Sequence, residues 1–155
     1  MFTYVFAFLI GVVAGLRAIT PLAMVSWAAR LGWFHLENTW LAFLGFALTP
    51  YILSALAIGE LINDKLPKTH SRKMPAPFAA RVVAGALCGA VLGGAGHALL
   101  GGFLAGALGG VAGTLGGYEV RARLVKATGG KDLPIALLED TIAICSAVLI
   151  ALQFS

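Results

Sequence analysis

The chain has 155 residues, of which 59% are hydrophobic and only 12% are charged. Soluble domains average about 45–50% apolar and about 25% charged residues. This composition and a mean hydropathy of +0.91 therefore exclude an ordinary soluble domain and predict an integral membrane protein. At roughly 20 residues per span, the length allows a single transmembrane domain over residues 1–155. The net charge of +4 does not indicate nucleic acid binding, because the basic residues cluster between apolar segments.

Five apolar segments predict an all-α, polytopic membrane protein with about five transmembrane helices. The segments cover residues 2–31, 40–61, 78–94, 99–118 and 133–152. Short loops rich in Lys and Arg stay cytoplasmic, and such residues occur after the second and fourth segments: Lys65, Lys68, Arg72 and Lys73, then Arg121, Arg123, Lys126 and Lys131. The alternation predicts a cytoplasmic N-terminus and a periplasmic C-terminus in a cell inner membrane.

The first segment is too long for one straight span and contains a charge. About 30 residues of helix would reach about 45 Å, whereas the hydrocarbon core is about 30 Å thick. We expect a break between residues 18 and 22, with Thr20 as the N-cap and Pro21 as the first residue of a new half-helix. Arg17 precedes this break, and an arginine at membrane depth indicates a water-filled cavity, an acidic partner or an anionic ligand.

The second segment repeats the Thr-Pro pair at Thr49 and Pro50. Paired proline-interrupted spans are typical of transporter binding sites, where the N-terminus of a half-helix attracts an anion. This pattern predicts an anion-binding site built by Arg17, Thr20, Thr49 and Arg81. The alternative is two ordinary proline kinks, which membrane helices tolerate.

The third and fourth segments carry glycine at every fourth residue. Such rows allow helix backbones to approach closely, so we predict glycine-zipper packing of these two helices, either within a core or at a homodimer interface. A glycine-lined permeation path is the other interpretation. The rows are Gly85, Gly89 and Gly93, then Gly102, Gly106 and Gly110, then Gly109, Gly113 and Gly117.

Carboxylates gather near the cytoplasmic ends of the predicted spans. They permit three interpretations: a charge-paired lock between helices, a proton or cation site that couples to transport, or a metal-dependent site acting on a lipid phosphoester. The third is disfavoured because the dense aspartate spacing of such sites is missing. The residues are Glu60, Asp64, Glu119, Glu139 and Asp140.

Histidine and cysteine do not indicate a metal site or a cofactor. No histidine pairs with another histidine or a cysteine at ligand spacing, and both cysteines lie within apolar runs, where they are typical small buried residues. These residues are His35, His70, His97, Cys88 and Cys145.

Several motifs together resemble a family of small bacterial membrane proteins catalogued as a domain of unknown function, DUF4126. The motifs are residues 15–21 (GLRAITP), residues 59–67 (GELINDKLP), Arg81 before the glycine-rich segments, and Leu138-Glu139-Asp140. The resemblance covers nearly the whole chain. It implies a bacterial inner-membrane protein, but it brings no known activity to carry over.

We therefore predict a small transporter or channel-like protein that binds or moves an anionic solute or a lipid phosphate at broken helices. The expected partners are the lipid bilayer and a second copy of the chain, and residues 65–73 form a polybasic loop that can contact anionic headgroups. An enzyme is the less favoured class: it would act on a lipid headgroup through Glu60, Asp64, Glu139 and Asp140. A structural or accessory membrane protein is the remaining alternative.

Overall fold

The computed structural model describes residues 2–65 and 74–155, and helix is the only regular secondary structure in these two stretches. The elements are α1 (Phe2–Leu16), α2 (Ile19–Arg30), a 3-10 helix (Trp40–Gly45), α3 (Thr49–Asn63), α4 (Pro75–Ala95), α5 (Leu99–Ala127) and α6 (Asp132–Leu152). Most of the predicted polybasic loop, including Lys68, His70, Arg72 and Lys73, lies outside the described residues.

Among the described residues, three helices are long and apolar enough to cross a membrane: α4, α5 and α6. Helix α1 is apolar but has only 15 residues, and α2 has 12. At 1.5 Å per residue these two helices are about 22 Å and about 18 Å long, so neither alone crosses a core of about 30 Å. The predicted first span is therefore two short helices.

Helices α1 and α2 form a hairpin whose tip is Arg17 and Ala18. Phe6, near the start of α1, and Phe34, just after α2, both pack on Phe154, with ring centroids 5.8 Å and 5.5 Å apart. Had α2 continued in the direction of α1, Phe34 would lie more than about 35 Å from Phe6. The chain therefore reverses at the tip.

The predicted cap of the second half-helix is wrong by two residues. Ala18 is the N-cap of α2, and Thr20 and Pro21 lie inside its first turn. Proline is tolerated there because the first N–H groups of a helix have no intrahelical partner.

The contacts of Phe154 also place both chain termini at one end of the bundle, which we call the terminal end. The opposite end, which we call the basic end, contains the last residues of α3 and α5 and the first residues of α4 and α6. The prediction that the termini lie on opposite sides of the membrane was based on five crossings, and it stays a prediction. Hydropathy counted the first segment as one crossing, whereas the hairpin returns to the end where it began.

Direct backbone contact joins α5 to α1 and α4. A Cβ atom added at Gly106 would lie 2.1 Å from the Gly85 carbonyl oxygen, and one added at Gly113 would lie 2.1 Å from that of Val12. An added Cβ at Gly89 would lie 2.3 Å from the Gly102 carbonyl oxygen. Because these faces already meet within one chain, a homodimer cannot use Gly89 or Gly113 as its interface.

The second predicted span is also interrupted. The 3-10 helix precedes α3, which begins at Thr49 with Leu48 as its N-cap and Pro50 in its first turn. The Thr49 hydroxyl donates to the Phe43 carbonyl at 2.7 Å, which ties the two elements together. Thr49 is thus the first residue of α3, and its side chain is hydrogen-bonded to the preceding 3-10 helix.

Candidate functional site

Arg17 lies at the hairpin tip with its side chain fully buried. Its Nε donates to Asp140 Oδ1 at 2.7 Å, and its Nη2 also contacts that oxygen. Its Nη1 lies 2.8 Å from Asp64 Oδ2. Asp64 is the C-cap of α3 and Asp140 lies within α6. The tip is therefore held by two helices that are distant in sequence.

The ion pairs continue on both sides of Arg17. Lys65 Nζ donates to Asp140 Oδ2 at 2.7 Å, and Arg121 Nη1 donates to Asp64 Oδ2 at 2.7 Å and to Glu139 Oε2 at 3.2 Å. Positive and negative groups alternate along this series of ion pairs, and such alternation offsets the cost of burying ions. We call these residues the tip cluster: Arg17, Asp64, Lys65, Arg121, Glu139 and Asp140.

A carboxylate closes the N-terminus of α2. Glu60, in the last turn of α3, accepts hydrogen bonds from the backbone N–H groups of Ala18 at 2.8 Å and Ile19 at 2.9 Å. These donors belong to the helix start, where the dipole favours negative charge. The position at which the sequence predicts a solute anion is thus occupied by a carboxylate of the chain itself.

A guanidinium closes the C-terminus of α1 in the same way. Arg81 Nη1 donates to the carbonyl oxygens of Gly15 at 2.8 Å and Leu16 at 3.0 Å. The Thr114 hydroxyl lies 3.3 Å from the same Gly15 oxygen. The break exposes backbone carbonyls at the end of α1 and backbone N–H groups at the start of α2. A positively charged side chain binds the carbonyls, and a negatively charged side chain binds the N–H groups.

Two groups at the tip are less well satisfied. The Arg17 Nη1 and Nη2 atoms are close to carboxylates but lie outside hydrogen-bond geometry. The Thr20 hydroxyl, in the first turn of α2, is buried and finds no hydrogen-bond partner among the described residues. An unsatisfied hydroxyl in a buried position requires an explanation, and a bound polar molecule is one.

A cavity of about 580 Å³ lies at the basic end beside the tip. Its walls include Ala18, Ile19, Glu60, Asp64, Ala80 and Arg81. Ala80 and Met74 on the same walls are exposed, so the cavity communicates with the outside of the bundle. The cavity therefore reaches the residues whose N–H groups Glu60 binds.

The structure brings together only part of the predicted site. Arg17 and Arg81 both lie at the tip, and Thr20 lies in the adjoining helical turn. Thr49 begins α3, whereas Glu60 lies in its last turn, about 16 Å away along the axis. The predicted residues thus divide between the two ends of α3.

The predicted carboxylate cluster is also smaller than expected. Glu119 is 54% exposed and pairs with Arg123 at 2.9 Å, outside the tip cluster. Conversely, the sequence analysis assigned Arg121 to a loop because it ended the fourth span at Tyr118. Helix α5 continues to Ala127 and aims Arg121 at the cluster. The sequence analysis missed Arg121 because it did not predict that the helix continues beyond the membrane-length segment.

The charged groups of the tip bind one another in the part of the chain that the structure describes. Residues 2–65 and 74–155 contain no group of three His, Cys, Asp or Glu side chains arranged to hold a metal ion. Glu139 and Asp140, which the enzyme alternative requires, bind Arg121 and Arg17. The contacts of the tip cluster are ion pairs and charge-assisted hydrogen bonds.

The chain matches a known family over nearly its whole length. The family model described as Domain of unknown function (DUF4126) matches residues 5–154, which include the hairpin tip and the whole tip cluster. No curated protein and no solved structure matches the chain.

Proposed function

The chain belongs to the DUF4126 family, and we propose from its site that it moves a small anionic solute, or the phosphate of a lipid, across a bacterial inner membrane. Family membership and three helices of membrane-spanning length support a membrane-embedded helical protein. The family description carries no activity. The proposal therefore depends on the hairpin tip alone.

One observation carries the proposal: the helix break that follows the fully buried Arg17 opens, at Ala18 and Ile19, onto a cavity that Glu60, Asp64 and Arg81 also line. Arg17 and the backbone N–H groups of Ala18 and Ile19 are donors that bind anions, and the cavity reaches two of these three residues. All of these donors now bind carboxylates of the chain. An entering anion would exchange with one of those carboxylates, and the displaced group would carry the conformational change.

The cavity beside the tip opens at the basic end, where Met74 and Ala80 on its walls are exposed. Between the tip and the termini the hairpin is tightly packed, with Ala7, Ile10 and Ala14 fully buried. We infer alternating access, in which the hairpin tip and α2 move relative to α6 while the glycine contacts hold α1 on α4 and α5. Breaking the ion pairs of Arg17 would release the tip for this movement.

We place the basic end in the cytoplasm, because loops rich in Lys and Arg stay there. The hairpin would then enter the membrane from the periplasmic side, and α4, α5 and α6 would be the helices long enough to cross it. Cysteines introduced at Phe2 and Ser155 should both react with an impermeant maleimide in intact cells, in a background without Cys145. A cysteine at Thr128, at the basic end, should not react. Labelling of only one terminus would contradict this orientation.

Transport is tested by blocking the cavity. Liposomes that contain the purified protein should take up radiolabelled acetate, phosphate or chloride. Ala80 and Ala79 are exposed neighbours on α4, but only Ala80 lines the cavity. We expect a charged methanethiosulfonate to abolish uptake by Ala80→Cys and to leave Ala79→Cys unaffected, again without Cys145.

The alternatives give different outcomes in this experiment. Equal inhibition of both variants would place the pathway elsewhere. No uptake of any anion by a folded protein would favour a structural or accessory role, in which the tip cluster only fixes the hairpin. That reading has support, because the described contacts pair Arg17 with two carboxylates.

A homodimer remains part of the proposal, with an interface different from the glycine rows. Gly116 on α5 has open space at its Cβ position, unlike Gly113 on the same helix. A cysteine at Gly116 is therefore a better crosslinking probe than one at Gly113, and crosslinking of the former alone would support a dimer.

A further inference from the structure

We propose that a groove between α5 and α6 binds one anionic phospholipid, with an acyl chain in the groove and the headgroup beside Lys131. The groove is separate from the cavity at the hairpin tip, because no described residue lines both. The inference therefore goes beyond the proposed function and does not depend on transport.

The groove is lined mainly by aliphatic side chains, and its volume is about 110 Å³. Gly117 and two charged residues of the tip cluster, Arg121 and Glu139, complete the lining. An acyl chain that fills the groove gains van der Waals contact with both walls, which a polar solute would gain less well. The aliphatic residues are Leu16, Val120, Leu124, Ile135, Leu138 and Ile142.

The groove opens to the outside of the bundle along two membrane-length helices. Val120 on α5 is 56% exposed, and Leu138 and Ile142 on α6 are 51% and 49% exposed. Helix α6 has 21 residues and is about 31 Å long. Residues 135–142 therefore lie in the half of α6 nearer the basic end. In a membrane, the hydrocarbon of that leaflet is what meets the groove.

The carboxylates near the groove are already paired with arginines. Asp132 and Glu139 both bind Arg121, and Glu119 binds Arg123. These pairs neutralise the negative charge at this end of α5 and α6. A cationic or neutral headgroup therefore finds no free carboxylate among these residues.

The charge that remains beside the groove is positive. Lys131 is the N-cap of α6 and is exposed. Among the described residues, its ammonium group has no carboxylate partner. Lys131 precedes Ile135 by about one helical turn, so it lies at the end of the groove on the same side of α6. An ammonium group at the membrane surface attracts the phosphate of an anionic lipid.

The test measures lipid binding to the delipidated full-length protein in detergent. Native mass spectrometry gives the apparent affinity for the first molecule of dioleoyl phosphatidylglycerol and, separately, of dioleoyl phosphatidylcholine. We expect phosphatidylglycerol to bind at least about fivefold more tightly, because one lysine near an anionic headgroup contributes about this factor. Equal affinities for the two lipids would overturn the inference.

Two lysines form a matched pair for the headgroup. Lys131→Ala should weaken phosphatidylglycerol binding about fivefold and leave phosphatidylcholine binding unchanged. Lys126 is also exposed, but it lies about 200° around α5 from Leu124, away from the groove. Lys126→Ala should change the affinity less than about twofold. Equal losses in both variants would mean that the lipid responds to general surface charge and would overturn the site.

Two leucines form a matched pair for the acyl chain. Leu137 and Leu138 are 50% and 51% exposed neighbours on α6, but only Leu138 lines the groove. Leu138→Trp should fill the groove and weaken binding of both lipids, whereas Leu137→Trp should not. If Leu138→Trp cannot be purified, Val120→Trp on the opposite wall replaces it, with the exposed Leu115→Trp as its control.

Two results would overturn the acyl-chain assignment. Equal effects of the groove and control tryptophans would place the lipid elsewhere. A stable dimer that binds neither lipid would assign the groove to a second copy of the chain. Inhibition of uptake through Ala80→Cys tests the proposed function separately, so lipid binding without uptake would remove only transport.

Discussion

The two ends of the helical bundle are held together by different physical means. Toward the terminal end, α1, α4 and α5 meet through glycine, with backbone against backbone. At the basic end, ion pairs join the hairpin tip to Asp64 at the end of α3 and to α6, and the hydrogen bonds of Arg81 join it to α4. Helix α5 joins the same network through Arg121, which pairs with Asp64 and Glu139. The first kind of contact is steric and has no alternative partners. The second consists of charges that can exchange partners.

This difference indicates which part of the molecule can move. Close glycine packing in a membrane gains van der Waals contact that is lost as soon as the helices separate. An ion-pair network offers several arrangements of similar composition, because each charged group has more than one possible partner. We therefore expect the terminal half to be rigid and the tip to be the responsive element.

The largest expected effect is on the glycine contacts. In Gly106→Leu the new Cβ would collide with the Gly85 carbonyl at 2.1 Å, and we expect a loss of more than about 4 kcal/mol of stability, or failure to assemble. The matched control is Gly116→Leu on the same helix, where nothing lies within 4 Å of the added Cβ. Fluorescence-detected gel filtration measures both. A monodisperse Gly106→Leu protein would show that the two backbones are not in contact.

The second-largest expected effect tests whether the ion pairs of the tip cluster are energetically coupled. Arg17→Met leaves Asp64 and Asp140 without their buried partner, and we expect a loss of about 3–5 kcal/mol. Adding Asp140→Leu should cost less than the sum of the two single changes, because the pair would then be removed together. Thermal unfolding of the four proteins gives the coupling energy. Strict additivity would mean that Arg17 and Asp140 do not interact energetically.

The smallest expected effect tests which carboxylates belong to the tip cluster. Glu119 and Arg123 are 54% and 78% exposed and form an i,i+4 pair, so Glu119→Ala should change the unfolding midpoint by an amount equivalent to less than about 0.5 kcal/mol. Glu139→Ala, whose residue is buried beside Arg121, should cost clearly more. A large effect of Glu119→Ala would return that residue to the functional cluster.

Much of the architecture was accessible from the sequence. Composition alone identified a helical membrane protein, because burial in lipid leaves few charged residues and requires helices that satisfy their own backbone groups. The insertion cost of a charge singled out Arg17, and the length of the first segment predicted its break. These inferences depend on local composition and length, which a single sequence contains in full.

The direction of the chain after the break, and the partners of each charge, were decided only by the tertiary structure. Hydropathy cannot distinguish a kinked span from a hairpin, since both are apolar runs interrupted by a polar residue. The choice depends on packing of Phe6 and Phe34 against Phe154, more than a hundred residues away in sequence. Likewise, Glu60 and Arg81 cap the two halves of the break because α3 and α4 bring them there. Charge type and spacing predict that a buried ion has a partner, but the three-dimensional arrangement of helices selects which one.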